Sequence, residues 1–227
     1  MPRIDQEDIV TALEEDRPVE FIDATTMDNV LVPVRWRPIA ASGDPAERAA
    51  IARSLWNSDF VELVPNFAAA LDEQLADVRV CLLREECVLV YAAAGVDEPW
   101  VVWIGWDPSA ARDVTPPLWD GVSGPVRTFL RDVHAGYTAE DWESYGLLSP
   151  RQMRTFATEA GFPDGIPGWD KDVEATRMLR LGKTYSGVTY WVSPDLPSDK
   201  VVVTYEGDFD IEDLAPELDK LLSYRIV

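Results

Sequence analysis

The sequence predicts an α+β fold with a central, largely antiparallel sheet flanked by helices. Three observations point there. Apolar residues recur at helical spacing in several capped segments. Short runs rich in Val, Ile, Tyr and Trp lie next to one another with turn residues between them, as hairpin strands do. Helices and strands mix without the regular βαβ alternation of a parallel sheet. With 227 residues, 47% of them hydrophobic, the chain is long enough for one large core or two small ones, and too apolar for disorder. The expectation is one α+β domain over residues 1–227.

The elements follow in order. Asp5–Glu15 predicts a short helix with Ile9, Val10 and Leu13 on its apolar side, stopped by Pro18. Val19–Ile22 and Val30–Trp36 read as two strands. Asp44-Pro45 opens a helix through Trp56, with Ala49, Ala52, Leu55 and Trp56 inward. A further helix runs from Asn66 to Leu75. Three strands come next, Val78–Leu83, Cys87–Ala93 and Trp100–Trp106. The last alternates poorly, so it is expected to be buried on both faces. Residues 107–117 are proline-rich and turn-like, the best internal boundary, across which the sheet is expected to continue.

In the stretch Leu118–Asp170, Ser123 is placed to cap a helix with Pro125 near its start, where a missing N–H costs little. Val126, Phe129, Leu130 and Val133 form its apolar stripe, and Gly136 ends it. Thr138 and Asp141 resemble a capping box. Ser149-Pro150 is expected to open another helix, with Met153, Phe156, Ala157 and Ala160 inward and Gly161 at its end. Pro163, Gly165, Pro167 and Gly168 then enforce an irregular loop ending in Trp169-Asp170. Thr176–Leu181, Val188–Val192 and Val201–Tyr205 read as strands. The chain closes with a helix near residues 210–222, whose Pro216 is best accommodated if Asp213 is its N-cap.

Charge and composition narrow the function. Lys+Arg total 20 against 41 Asp+Glu, a net charge of -21. That disfavours nucleic acid and anionic membranes and favours solubility or a basic protein partner. No apolar run approaches the roughly 20 residues of a membrane helix, and the acidic N-terminus lacks a signal peptide's basic and apolar regions. A cytoplasmic protein is expected. Cys81 and Cys87 have no metal-site spacing and are expected to be reduced strand residues.

No catalytic, cofactor-binding or metal-binding residue is expected. His134, the only histidine, lies near a helix C-terminus, where the dipole favours a cation and no nucleophile is close in sequence. Asp208-Phe-Asp-Ile-Glu-Asp mimics the start of a calcium loop, but Asp213 stands where that loop requires glycine. Asp141 and Glu143 are too close in sequence to face each other across a glycosidase cleft. Gly182-Lys-Thr lacks the upstream glycine of a phosphate loop. Nine tryptophans belong mostly to the core. Those in polar, turn-rich connectors are candidate protein-binding anchors. The expected partner-binding set is therefore Trp142, Tyr145 and Trp169 with the neighbouring acids Asp141, Glu143 and Asp170.

The order of elements in the second half also resembles a family. The helix Pro125–Val133 runs into His-Ala-Gly-Tyr and the Gly146-Leu-Leu-Ser-Pro connector. A strand pair at Arg177–Val192, the strand Val201–Tyr205 and a terminal acidic-leucine helix follow. This arrangement, over Leu118–Leu222, resembles the SUKH superfamily, which includes a yeast cell-wall assembly regulator and many bacterial immunity proteins. Ser123-Gly-Pro stands where that family has a Leu-Pro helix start, and His134-Ala-Gly-Tyr where it has an Asn-Gly-Gly-like turn. The resemblance implies residues 111–227 as the SUKH-like portion, 1–110 as an N-terminal elaboration, and no catalysis. It further implies a protein that binds and neutralises a toxin, here a basic toxin domain given the chain's charge. A regulatory scaffold of the same fold and a carboxylate-based hydrolase are the rival readings.

Overall fold

Strand-forming runs adjacent in the chain pair as hairpins, and they build two sheets. The computed structural model describes residues 4–227. The first sheet contains β1 (Glu20–Ile22), β2 (Leu75–Leu83), β3 (Glu86–Ala93), β4 (Val101–Trp106) and β5 (Tyr137–Thr138), side by side in that order. The second contains β6 (Leu179–Lys183), β7 (Thr189–Val192), β8 (Lys200–Tyr205) and β9 (Asp208–Asp213), again in chain order. Every pairing within both sheets is antiparallel. The fold is α+β.

Residues 144–156 stitch the sheets together. Tyr137 and Leu147 exchange two backbone hydrogen bonds of 2.8 Å. On the other side, the Tyr145 and Leu148 amides donate to the Lys183 and Leu181 carbonyls at 2.8 and 2.9 Å. The backbones approach so closely that a Cβ at Gly146 would overlap the Tyr137 carbonyl, and one at Gly182 the Gly146 carbonyl. Glycine is required at both positions by space, not by dihedral freedom.

Helices cover both faces of the first sheet. α1 (Gln6–Leu13) is opened by a capping box in which Asp5 accepts from the Glu7 and Asp8 amides. Its Ile9 and Leu13 pack with Cys81, Val88, Val90, Val102 and Ile104 on one face. On the other face α2 (Arg37–Ala41), α3 (Pro45–Ser54), α4 (Ser58–Leu63) and α5 (Pro65–Gln74) bury Ile39, Ala52, Phe60, Phe67 and Leu71 against Val78, Tyr91 and Trp103. This is why residues 100–106 alternate poorly: Trp103 belongs to the main core, Val102 and Ile104 to the core under α1. The main core continues beneath α6 (Gly124–Thr128) and α8 (Leu214–Ser223) to Tyr190, Val192 and Val201 of the second sheet.

Two buried polar joints tie helices to this frame. Arg48 of α3 donates through two nitrogens to both carboxylate oxygens of Asp77 on β2, each at 2.7 Å, with both side chains buried. Asp219 of α8 accepts from the Asn66 and Phe67 amides at 3.2 and 2.8 Å, capping the start of α5. Both satisfy groups that burial would otherwise penalise.

Several expectations are corrected. Residues 30–36 form turns and a 3₁₀ segment, Val34–Trp36. Pro33 removes a ladder donor from the middle of the run. Ser149-Pro150 opens only a turn, and the helix there is α7, Phe156–Glu159, capped by Thr155. The second sheet takes the intervening backbone: Arg180 donates to the Arg154 carbonyl and Phe156 to that of Met178, both at 2.9 Å. Thr138 lies in β5, so no capping box forms there; Asp141 instead accepts from the Glu143 and Ser144 amides in a side-chain turn. Helix α6 begins after Ser123 without a side-chain cap and passes into a π-helical turn, Phe129–Val133, that ends at His134. Residues 208–213 are strand β9, and the last helix starts directly after Asp213.

Candidate functional site

The Asp141–Tyr145 corner sits where β5 leads to the seam. Every side chain of the expected set here has a partner inside the chain. Asp141 accepts from Ser144 Oγ at 2.6 Å. Trp142 takes a left-handed backbone conformation (φ 67°) that turns its ring back onto the first sheet. Its indole N–H donates to Glu15 at 2.6 Å, its ring stacks on Trp106 at 5.6 Å, and the Arg84 guanidinium lies 4.8 Å from its centroid. Glu143 pairs with Lys183 of β6. Tyr145 is buried, stacked on Tyr224 at 5.1 Å, and its carbonyl accepts from the Trp103 indole. Arg84, Trp106, Trp142 and Arg151 surround a pocket of about 250 Å³ beside this corner.

Trp169 and Asp170 lie elsewhere. Trp169 packs on Phe156 and Phe209, at 5.2 and 5.3 Å, and joins a small third core with Val173, Met178, Trp191 and Val202 on the outer face of the second sheet. Its indole donates to the Val173 carbonyl. The ring therefore fixes the 169–173 loop across β9, and Asp170 and Asp172 project beside that strand. The expected set divides between two places. Asp141, Trp142, Glu143 and Tyr145 stand by the β6 edge of the second sheet, and Trp169 and Asp170 stand by its β9 edge.

The expected set omits β9, which belongs to this second place. Glu206, Asp208, Asp210, Glu212 and Asp213 are all exposed, and Ile211 is exposed among them. β9 is an edge strand, bonded to β8 alone within its sheet. Lys200, bound to Asp213 at 2.6 Å, and Lys171, near the Phe209 ring, are the basic groups at this face. A signal for the strand is present in the sequence. Phe209 and Ile211 alternate with acids, the period-two pattern of a half-buried strand.

His134 is no cation. It is fully buried, and burial pushes its pKa down to about 3. Trp56 donates to the Tyr91 hydroxyl at 3.3 Å, and that hydroxyl meets His134 Nε2 at 2.8 Å. The expectation that the helix dipole favours a charged imidazole is overturned, since desolvation outweighs it. Cys81 and Cys87 are free thiols, and burial pushes Cys87 up to about 12 and Cys81 higher, the opposite of an activated nucleophile. Among the described residues no cluster of His, Cys, Asp or Glu has metal-binding geometry, and no helix is long and apolar enough to cross a membrane.

No family model, curated protein or solved structure matches the chain.

Proposed function

We propose that the chain is a non-enzymatic protein-binding module that neutralises a basic toxin domain, as the SUKH resemblance implies. The face of β9 and the Trp169–Asp172 loop is its docking surface. The observation that carries the reading is the acid-crowded edge strand. Asp208, Asp210 and Glu212 project from one side of the exposed strand, and Ile211 from the other, beside Phe209 and the aromatic layer that holds the strand rigid. Such a surface attracts a basic partner over a distance and raises the rate of encounter, and Ile211 supplies apolar contact on the side it shares with Asp170 and Asp172. Its free backbone edge is open to strand addition as well. On this reading Asp141, Trp142, Glu143 and Tyr145 brace the sheet at its opposite edge, beside β6.

The test pairs the purified chain with the product of the adjacent gene by calorimetry at low and physiological salt. The expected result is a stoichiometric complex that weakens as salt rises. In Asp210→Lys with Glu212→Lys the complex is expected to weaken about tenfold or more, mainly through association rate. Unchanged binding by that variant would place the interface elsewhere. Failure to form any complex would count against toxin neutralisation itself.

A further inference from the structure

A second surface has the opposite character. Residues 31–37, the start of the 107–112 turn and Arg131 enclose a groove of about 440 Å³. Leu31 and Val34 flank it, 95% and 81% exposed, the two most exposed large apolar side chains among the described residues. The groove also carries Arg35, Arg37, Arg112 and Arg131. In a chain with acids in two-fold excess over bases, most lysines and arginines find a carboxylate. Arg35, Arg112 and Arg131 have no carboxylate in ion-pair contact among the described residues. Arg37 has only the exposed Asp28 at 3.7 Å.

These guanidiniums are positioned by other means. Arg35 donates to the Asp132 carbonyl, and Arg131 lies 5.3 Å from the Trp119 ring centroid. Each leaves N–H donors unused, because a backbone carbonyl or a ring occupies few of the five that a guanidinium carries. Of the two carboxylates lining the groove, Asp107 is already engaged by the Ser109 amide and hydroxyl. Asp132 is the other, so the arginines exceed the acids here, in reverse of the molecule as a whole.

We propose that this groove is a docking site for an acidic segment of another protein, with carboxylates on the arginines and an apolar side chain between Leu31 and Val34. Charge complementarity selects the occupant. Inorganic oxyanions would use the arginines and leave the two apolar side chains in water. Nucleic acid would bring many charges into the field of a molecule of net charge -21. A second copy would bring that same field against itself. A short acidic segment adds few charges and fills both parts of the groove. The surface is separate from β9, so the chain would engage a basic and an acidic partner through different faces.

The full chain is titrated by fluorescence anisotropy against three labelled dodecapeptides. One has a central leucine between Asp and Glu residues, one has alanine for that leucine, and one has lysines for the acids. Saturable, salt-weakened binding of the first alone is expected. Arg112→Glu with Arg131→Glu should weaken it at least about tenfold, since buried or shared charge contacts at interfaces carry that much. Leu31→Ser should weaken it too, and Asp210→Lys should leave it unchanged. All these positions are exposed, so circular dichroism should match the parent and report retained folding. No saturable binding, equal binding of the lysine peptide, or indifference to the double reversal would overturn the proposal. Self-association abolished by the reversals would overturn it as well, by making a second copy the occupant.

Discussion

His134 shows how much one buried side chain can reveal about stability. Its ring is held by Tyr91 and packed against Trp36, Phe129 and Tyr137, at centroid distances of 5.4 to 5.9 Å. The first sheet presses on it directly, because a Cβ at Gly105 would stand 2.5 Å from Nδ1. Burial lowers its pKa from 6.5 to about 3. Between those values the unfolded chain binds a proton that the folded chain refuses, so stability rises with pH across the window and is lost as pH falls through it. Lowering the pH from about 6.5 to about 5 should cost roughly 2 kcal/mol through this residue. Because the chain has one histidine, replacing it separates its share of the slope from that of the carboxylates. Urea unfolding at the two pH values should show the loss in the parent, and His134→Gln should abolish most of it whatever its own stability. An undiminished slope in the variant would reject the assignment. The sequence indicates that this histidine is structural, but not that it is neutral. Its helical position is local information, whereas the aromatic cage is assembled from segments far apart in the chain.

At the scale of elements, the seam between the sheets is the vulnerable joint. Gly146 and Gly182 lie back to back there, with backbone carbonyls in the space a side chain would need. A carbonyl cannot swing aside as a side chain end can, and moving it breaks the Tyr137–Leu147 and Tyr145–Lys183 hydrogen bonds. Gly146→Ala should therefore destabilise by about 3 kcal/mol or more, at or beyond the upper end of ordinary overpacking, and Gly182→Ala comparably. Gly43→Ala, with nothing within 4 Å of its Cβ, is the control expected to stay near the parent. Thermal unfolding of the three variants decides it; equal Tm values would mean the seam opens without cost. The seam also marks the limit of what local sequence signals carry. Hairpin strands such as β2 and β3 and capped helices such as α1 and α3 are legible, because their signals are contiguous. Residues 149–156 carry an apolar pattern that suits a helix, and the second sheet claims their backbone instead. Residues 30–36 look like a strand but have Pro33 at their centre, where a ladder donor is missing. At the candidate docking face, Trp169 and Asp170 stand out from their loop, while the acids of β9 mimic a calcium loop and mask the alternation of Phe209 and Ile211. The arginine groove has no local signal, since its three segments meet only in the fold.

For the whole molecule the dominant influence is charge. Forty-one acids against 20 bases leave -21 on one chain, and the ion pairs absorb little of the resulting repulsion because most lie at the surface, where each contributes about a kcal/mol or less. Folding brings the acids closer together than they are in the extended chain, so self-repulsion opposes the compact state. Salt screens that repulsion over about 10 Å at 0.1 M. The exposed pairs are weakened by the same screening, but they are outnumbered by unpaired acids. The buried Arg48–Asp77 joint, with both side chains nearly inaccessible, is screened much less. Adding sodium chloride from low to physiological ionic strength should therefore raise Tm by a few degrees, in contrast to a protein held together by surface ion pairs. Scanning calorimetry across that range reads the effect. Reversing Asp208 and Asp210 on the exposed strand to lysine should reduce the salt-dependent gain by removing two of the crowded charges. A Tm that falls with salt would mean that local pairs, not the net field, govern this surface, and it would remove the long-range attraction on which docking of a basic partner to β9 relies.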